Sequence, residues 1–295
     1  MPISTIAILS PGNMGSAVGR FLVEGGFDVV ACLGERSDFT RERAEKYGIR
    51  DIGGIDDMVA ASDLVLSILD PARAEEIAEA TAAAMKKAGK SLVFADCNAT
   101  SPATAEKLNG LIEEAGGKFV DVGIIGGAPD RKENFPNFCT SGPHAELLQP
   151  LDGKGVKILK VGDEIGAGSA IKICNGAWNK GAFALYTAVM LAAEHYGFTE
   201  ILRERLPKSQ AGTVDKLDAA INRLPSLSGR YVGEMEQVAE TFASIGMPDG
   251  FHDASAQLFR MLNDTSLGSE RRELIPDDRT TLDVLKILIQ DIENS

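Results

Sequence analysis

The chain holds little of what staples or metallates small proteins: four cysteines and three histidines in 295 residues. Cys32, Cys97, Cys139 and Cys174 show no C-x-x-C spacing, which argues against a zinc site or a disulfide framework and reads them as buried thiols. His144, His195 and His252 lack metal-ligand spacing as well, so no metal is expected. Long apolar runs are missing: no window reaches the ~18 residues of a membrane span. No basic segment leads into a cleavable apolar stretch at the N-terminus, so the expected address is cytoplasmic, with no membrane partner. Positive charge is scarce, with 30 Lys and Arg against 43 Asp and Glu and a formal charge of −13. Such a surface repels polyanions, which excludes nucleic acid and leaves a small-molecule partner whose anionic groups must be met locally.

What remains is ordinary globular material, 44% hydrophobic and 25% charged. The length suits two domains. In the first half, short apolar runs at 5–9, 27–32, 64–69, 92–95 and 118–122 alternate with helical patterns at 14–24, 41–47, 71–88 and 102–115. Strict alternation of this kind predicts parallel strands with helices on both faces, a Rossmann-type doubly wound α/β sheet. Asp70-Pro71 and Ser101-Pro102 mark helix starts, while Gly89 and Gly116-Gly117 mark ends. Runs at 137–140 and 156–161, flanking a helix-like 144–151, extend the same sheet. Beyond Gly166 only helical patterns follow: one long helix over 169–196, then 208–224, 229–245, 252–262 and 280–292. The reading is a dinucleotide-binding domain over 1–163 and an all-α substrate and dimerisation domain over 164–295.

The first strand runs directly into Ser10-Pro11-Gly12-Asn13-Met14-Gly15. A strand feeding a helix through G-x-x-G spacing aims free backbone N–H groups and a positive helix end at one spot, which suits a diphosphate. Gly12 lets phosphates approach, and Gly15 lets helix and strand pack closely. Ser10 stands where the usual first glycine would be. After the second strand, Glu35 points to the ribose diol of NAD, whereas Arg36, Ser37 and Thr40 suit the extra phosphate of NADP. NADP is favoured, with NAD as the alternative, and Leu69 at the end of its strand joins the expected cofactor contacts.

Three later stretches, DCNATSP (96–102), DVGIIGGAP (121–129) and GAGSAIKICNGAWNKG (166–181), complete a pattern with that opening. Together they resemble the β-hydroxyacid dehydrogenase superfamily, which includes 3-hydroxyisobutyrate and 6-phosphogluconate dehydrogenases. The C-terminal part is similar to the branch whose C-terminal domain is a phosphogluconate dehydrogenase-type domain of unknown function. The resemblance implies that Asn98 borders the nicotinamide and the substrate, in place of the family's serine. It implies a substrate loop at Gly126 and Gly127, with Ile125 where a serine is common. It also places the catalytic lysine at Lys172, near a helix start where partial desolvation and the helix dipole favour a neutral amine. Asn175 and Asn179, at +3 and +7, return to the same helical face and are expected to hold substrate.

The implied activity is hydride transfer between a nicotinamide and the hydroxyl-bearing carbon of a small β-hydroxy acid, with Lys172 exchanging the proton. The alternatives are a 6-phosphogluconate-like or imine reductase-like activity and, from another class, a non-catalytic dinucleotide sensor or scaffold. Asn175, where the phosphogluconate enzymes have histidine, disfavours the first, and Lys172 weighs against the second. Lys180 either contacts an acidic substrate or faces solvent, with solvent favoured, and Arg230 either reaches a substrate anion or serves as a cap or salt bridge. His252, Asp253 and Ser255 are too close in sequence for a triad, and Asp253 reads as a helix cap. Apolar stripes on the helices predict a homodimer.

Overall fold

The computed structural model describes residues 3–34, 36–206, 210–271 and 274–294. The chain divides into two compact units, Met1–Ile173 and Cys174–Ser295.

The first unit is built on β1 (Thr5–Ile8), α1 (Asn13–Glu24), β2 (Asp28–Ala31), α2 (Asp38–Lys46), β3 (Arg50–Asp51), α3 (Ile55–Ala61), β4 (Leu64–Ser67), α4 (Ala74–Ala88), β5 (Val93–Asp96), α5 (Pro102–Glu114), β6 (Lys118–Ile125), β7 (Asn137–Ser141) and β8 (Lys157–Gly162). The strands form one eight-stranded sheet in the order β3-β2-β1-β4-β5-β6-β7-β8. Side chains alternate between its faces with the two-residue period of a strand. Ile6, Ile8, Leu64, Leu66, Val120 and Val122 pack into one core with Val18 and Leu22 of α1. Ala7, Val65, Phe94 and Phe119 pack into another with Met58, Ile77, Met85, Leu108 and Ile112 of α3, α4 and α5. Burying each large side chain stabilises the fold by about 1.5–3 kcal/mol. That two-sided burial is why the central strands read as continuous apolar runs.

The sheet is parallel except at one junction. β7 runs antiparallel to β6, with Gly123 opposite Cys139. The connection over 126–136 is too short for a crossover helix, so the chain turns back on itself. β3 and α3 go unseen in the sequence pattern, because β3 is a two-residue exposed strand. The helix-like 144–151 is a 3₁₀ stretch, Ala145–Leu151. The turn signals act as read: Ser101 Oγ accepts from Thr104 N at the start of α5, and Gly89 ends α4 in the left-handed region.

Helices follow: α6 (Ala167–Gly176), α7 (Ala182–His195), α8 (Thr199–Arg205), α9 (Ala211–Ile221), α10 (Leu224–Ser244), α11 (Gly250–Asn263) and α12 (Thr281–Glu293). Residue 163 is where β8 has ended and helices take over. The compact units part inside α6, because its first turns are hydrogen-bonded to the sheet. The single long helix expected over 169–196 is α6 and α7 joined by a π-helical turn at Ala177–Gly181. The helix expected from Lys208 begins at Ala211; Lys208 itself lies outside the described residues. In the second unit α10 packs on α11 through buried Met235, Val238, Phe259 and Leu262. A bidentate Arg203–Asp218 pair ties α8 to α9, and Thr280 with Asp283 closes a capping box on α12.

Candidate active site

β1 ends where Gly12 becomes the N-cap of α1, and no side chain caps this end. A Cβ added to Gly12 would meet nothing within 4 Å, so the protein's own packing does not require glycine there. A Cβ on Gly15 would lie 2.3 Å from the Ser10 carbonyl oxygen, so the close approach of α1 to β1 does require it. Asn13 is exposed and Ser10 and Met14 half-buried around this open helix end. The arrangement fits the diphosphate of a dinucleotide: open space, unshielded N–H groups, and no acidic residue in the first turn.

The loop after β2 gathers two arginines. Arg36 Nη2 donates to the Leu9 carbonyl at 3.4 Å, across the end of β1. Arg41 holds the loop with Nε on the Arg36 carbonyl at 3.0 Å and Nη2 on the Gly34 carbonyl. Ser37 caps α2, and its hydroxyl lies 3.1 Å from that of Thr40. Glu35 lies outside the described residues. Sequence reasoning passed over Arg41, although its spacing from Arg36 places it one turn into the helix that leaves the loop.

At the carboxyl ends of β4 and β5 the structure revises the role of Asn98. Its Nδ2 donates to Ser67 Oγ at 3.0 Å and to Asp96 Oδ1 at 2.5 Å, while Oδ1 accepts from Leu69 N at 2.8 Å. Both amide hydrogens are therefore spent inside the protein. Asn98, 3% exposed, braces the Leu69 loop and has no hydrogen left to donate to a ligand. Burial pushes the Asp96 carboxyl up to about 7; the Asp121 charge adds to the rise, and hydrogen bonds from Asn98, Ser67 and Thr100 oppose it.

Lys172 emerges from α6 toward β6. Its Nζ donates to the Ile124 carbonyl at 2.7 Å, at the carboxyl end of that strand, and the side chain is half-buried. Asp121, opposite Asp96 in the sheet, sits three residues earlier on β6 and is fully buried. Its Oδ2 accepts from Ser141 Oγ at 2.9 Å and from Gly166 N and Ser169 N at 3.0 Å, and its Oδ1 accepts from Ser169 Oγ at 2.7 Å. Past β6, Gly126 has φ +123°, which favours glycine, and a Cβ there would lie 3.2 Å from Pro136 Cα. Gly127 faces open space. Asp96 and Asp121 open the two stretches DCNATSP and DVGIIGGAP, and that shared position is the signal that could have found them.

In the second unit, Asn179 Nδ2 donates to the Asn175 carbonyl at 2.9 Å and to Asn175 Oδ1 at 3.1 Å, within the π-helical region. Such turns are frequent at functional sites. Lys180 does not face solvent: its Nζ lies 2.6 Å from Glu234 Oε2, both side chains are mostly buried, and the ammonium stands 5.1 Å from the centre of the Tyr231 ring. Arg230 Nε pairs with the same carboxylate at 3.3 Å. Asp249, not Asp253, occupies the N-cap position of α11. His252 is buried between Phe242 and Phe251, and burial holds its imidazole below the ordinary histidine range. Only Cys97 and Cys139 are buried thiols; Cys32 is half-buried and Cys174 exposed at the start of the helical unit. Among the described residues no group of three His, Cys, Asp or Glu could hold a metal, and no helix is long and apolar enough to cross a membrane.

The family described as the NAD binding domain of 6-phosphogluconate dehydrogenase matches residues 5–149, and a domain of unknown function, DUF1932, matches residues 193–262. An uncharacterized 28.5 kDa protein of Methanothermus fervidus is 30% identical over 207 residues, spanning 70% of this chain and 77% of that one. A solved protein of unknown function, described as structurally similar to 3-hydroxyacid dehydrogenases, is 26% identical with a TM-score of 0.66, covering 88% of this chain and 97% of that one. The 3-hydroxyisobutyrate dehydrogenase of Mycobacterium tuberculosis, solved with L-serine, shares the fold at 19% identity with a TM-score of 0.68, over 98% of this chain and 99% of that one.

Proposed function

We propose a function from one premise: the chain belongs to the β-hydroxyacid dehydrogenase superfamily, in the branch that joins the 6-phosphogluconate dehydrogenase type of NAD binding domain to DUF1932. It is an NADP-linked oxidoreductase, with NAD as the alternative cofactor, acting on the hydroxyl or carbonyl carbon of a small β-hydroxy acid. The N-terminal domain holds the dinucleotide, and the helical domain serves substrate and dimerisation. Gly12, Asn13, Met14 and Gly15 at the α1 start would hold the diphosphate, with Ser10 beside them. Arg36, Ser37, Thr40 and Arg41 would meet the 2′-phosphate, and the Leu69 loop braced by Asn98 would border the nicotinamide end. The bound dinucleotide supplies hydride chemistry.

The residues of the chain supply orientation and the proton. In the oxidation direction Lys172, as the neutral amine, accepts the hydroxyl proton; in reduction its ammonium returns it. The backbone N–H groups of Gly126 and Gly127 receive the acid group of the substrate. The observation that carries this reading is the Lys172 amine on the Ile124 carbonyl at a strand's carboxyl end, where ligands bind in open α/β sheets, within the same unit as the open α1 start.

The test is a substrate panel followed at the nicotinamide absorbance: 3-hydroxyisobutyrate, L-serine and 6-phosphogluconate, each with NADP⁺ and NAD⁺. Turnover of an unphosphorylated short acid, with 6-phosphogluconate poor, is the expected result. NADPH binding without turnover of any hydroxy acid, keto acid or imine would select the sensor reading instead.

A further inference from the structure

We propose that Asp121 and Gly123 are positioning residues for Lys172, holding the first turn of α6 against β6 so that the lysine amine reaches the Ile124 carbonyl. This inference rests on the reading of Lys172 as the proton partner. β6 meets α6 at three successive points. At Asp121 one carboxylate receives the Gly166 and Ser169 amides and the Ser169 hydroxyl, an N-cap delivered from the sheet and not from the helix's own sequence. Ser141 Oγ of β7 bridges the same carboxylate to Gly168 N at 2.9 Å.

At Gly123 the helix comes so close that an added Cβ would lie 2.0 Å from the Gly168 carbonyl oxygen and 3.0 Å from Lys172 Cβ. Gly168 is equally bare, since a Cβ there would lie 2.6 Å from the Cys139 carbonyl oxygen. At Ile124 the carbonyl takes the Lys172 amine at 2.7 Å. Lys172 sits three residues after Ser169, so fixing the Ser169 turn fixes the turn from which the lysine leaves. The anchors and the lysine are within one compact unit, and Asp121, Gly123 and Ile124 are on one strand, so the lysine's place is set by the sheet.

The experiment uses the full chain and reads Lys172 directly. Brief acetylation at fixed pH, quantified by mass spectrometry against exposed Lys118, reports how freely the Lys172 amine leaves its carbonyl. Asp121→Ala should raise Lys172 labelling roughly tenfold, the size expected when a cap and its buried donors lose their acceptor. Asp121→Asn keeps an acceptor oxygen for the same amides and should stay within about threefold of wild type. Gly123→Ala should behave like Asp121→Ala, because the atom it meets is backbone. With an acid found in the panel, kcat should fall in Asp121→Ala and recover in Asp121→Asn, while NADPH affinity stays unchanged in both.

Wild-type labelling in folded Asp121→Ala or Gly123→Ala would overturn the proposal. Should Asp121→Ala fail to fold, Gly123→Ala and Ser169→Ala decide by the same labelling, and wild-type rates in both would overturn it. If Lys172→Ala retained turnover, the proposed function would fall while the labelling still judged the positioning.

Discussion

Gly12 and Gly15 stand three positions apart and need to be bare for opposite reasons. Gly15 answers to the protein, since any Cβ collides with the Ser10 carbonyl; Gly12 answers to nothing inside it. Gly15→Val should therefore cost about 3 kcal/mol or more in urea unfolding, as overpacking against backbone does. Gly12→Val should cost about 1 kcal/mol, the difference between a good and a poor N-cap. Titration with NADPH should find binding abolished in Gly12→Val; a variant that unfolds like Gly15→Val, or that still binds, would contradict the assignment. The distinction was legible in the sequence because G-x-x-G between strand and helix assigns the two glycines separately. Asn98 was not, because an amide's partners depend on which strands lie beside it, and here Ser67 and Asp96 take both its hydrogens while Leu69 N donates to its oxygen.

Among the elements, β5 and β6 hold two carboxylates together, with Asp96 and Asp121 buried side by side in the register. The Asp96 carboxyl is raised from 3.8 to about 7 by burial first and by Asp121 after it. Between these values the folded chain keeps a proton that the unfolded chain releases. The group's contribution to stability is thus fully present in acid and is lost as pH rises through about 7, on the order of 4 kcal/mol. Asp96→Asn should remove that loss: compared with wild type, it should gain stability between about pH 5 and about pH 8 in urea unfolding. An equal difference at both pH values would contradict the shift. Most elements were legible from apolar runs and from Ser101-Pro102 or Gly89 punctuation. The antiparallel β7 was not, since a run of five residues carries no direction; only the short 126–136 connection does. The sheet-borne cap on α6 was hidden for a related reason, because Asp121 lies 45 residues from Gly166 in the chain.

At the scale of the whole molecule, the helical unit leaves Trp178 81% exposed, and Leu185, Val189 and Ile201 are exposed as well. Exposed apolar side chains of this kind are what a second copy would cover in the proposed dimer. Light scattering should give the mass of a dimer, and Trp178→Ser with Leu185→Ser should weaken it; a wild-type monomer at micromolar concentration would contradict the association. The change from sheet to helices could be read from the switch in hydrophobic period after Gly166, whereas oligomeric state and substrate depend on surfaces that a linear pattern does not bring together. Lys172 is the proposed proton partner, and its direct test is the kcat of Lys172→Ala on an acid that the wild type turns over, alongside the NADPH dissociation constant. The expected result is a fall of about 10²–10⁴-fold in kcat, the span of general acid–base catalysis, with NADPH binding within about twofold of wild type; turnover at the wild-type rate would contradict it.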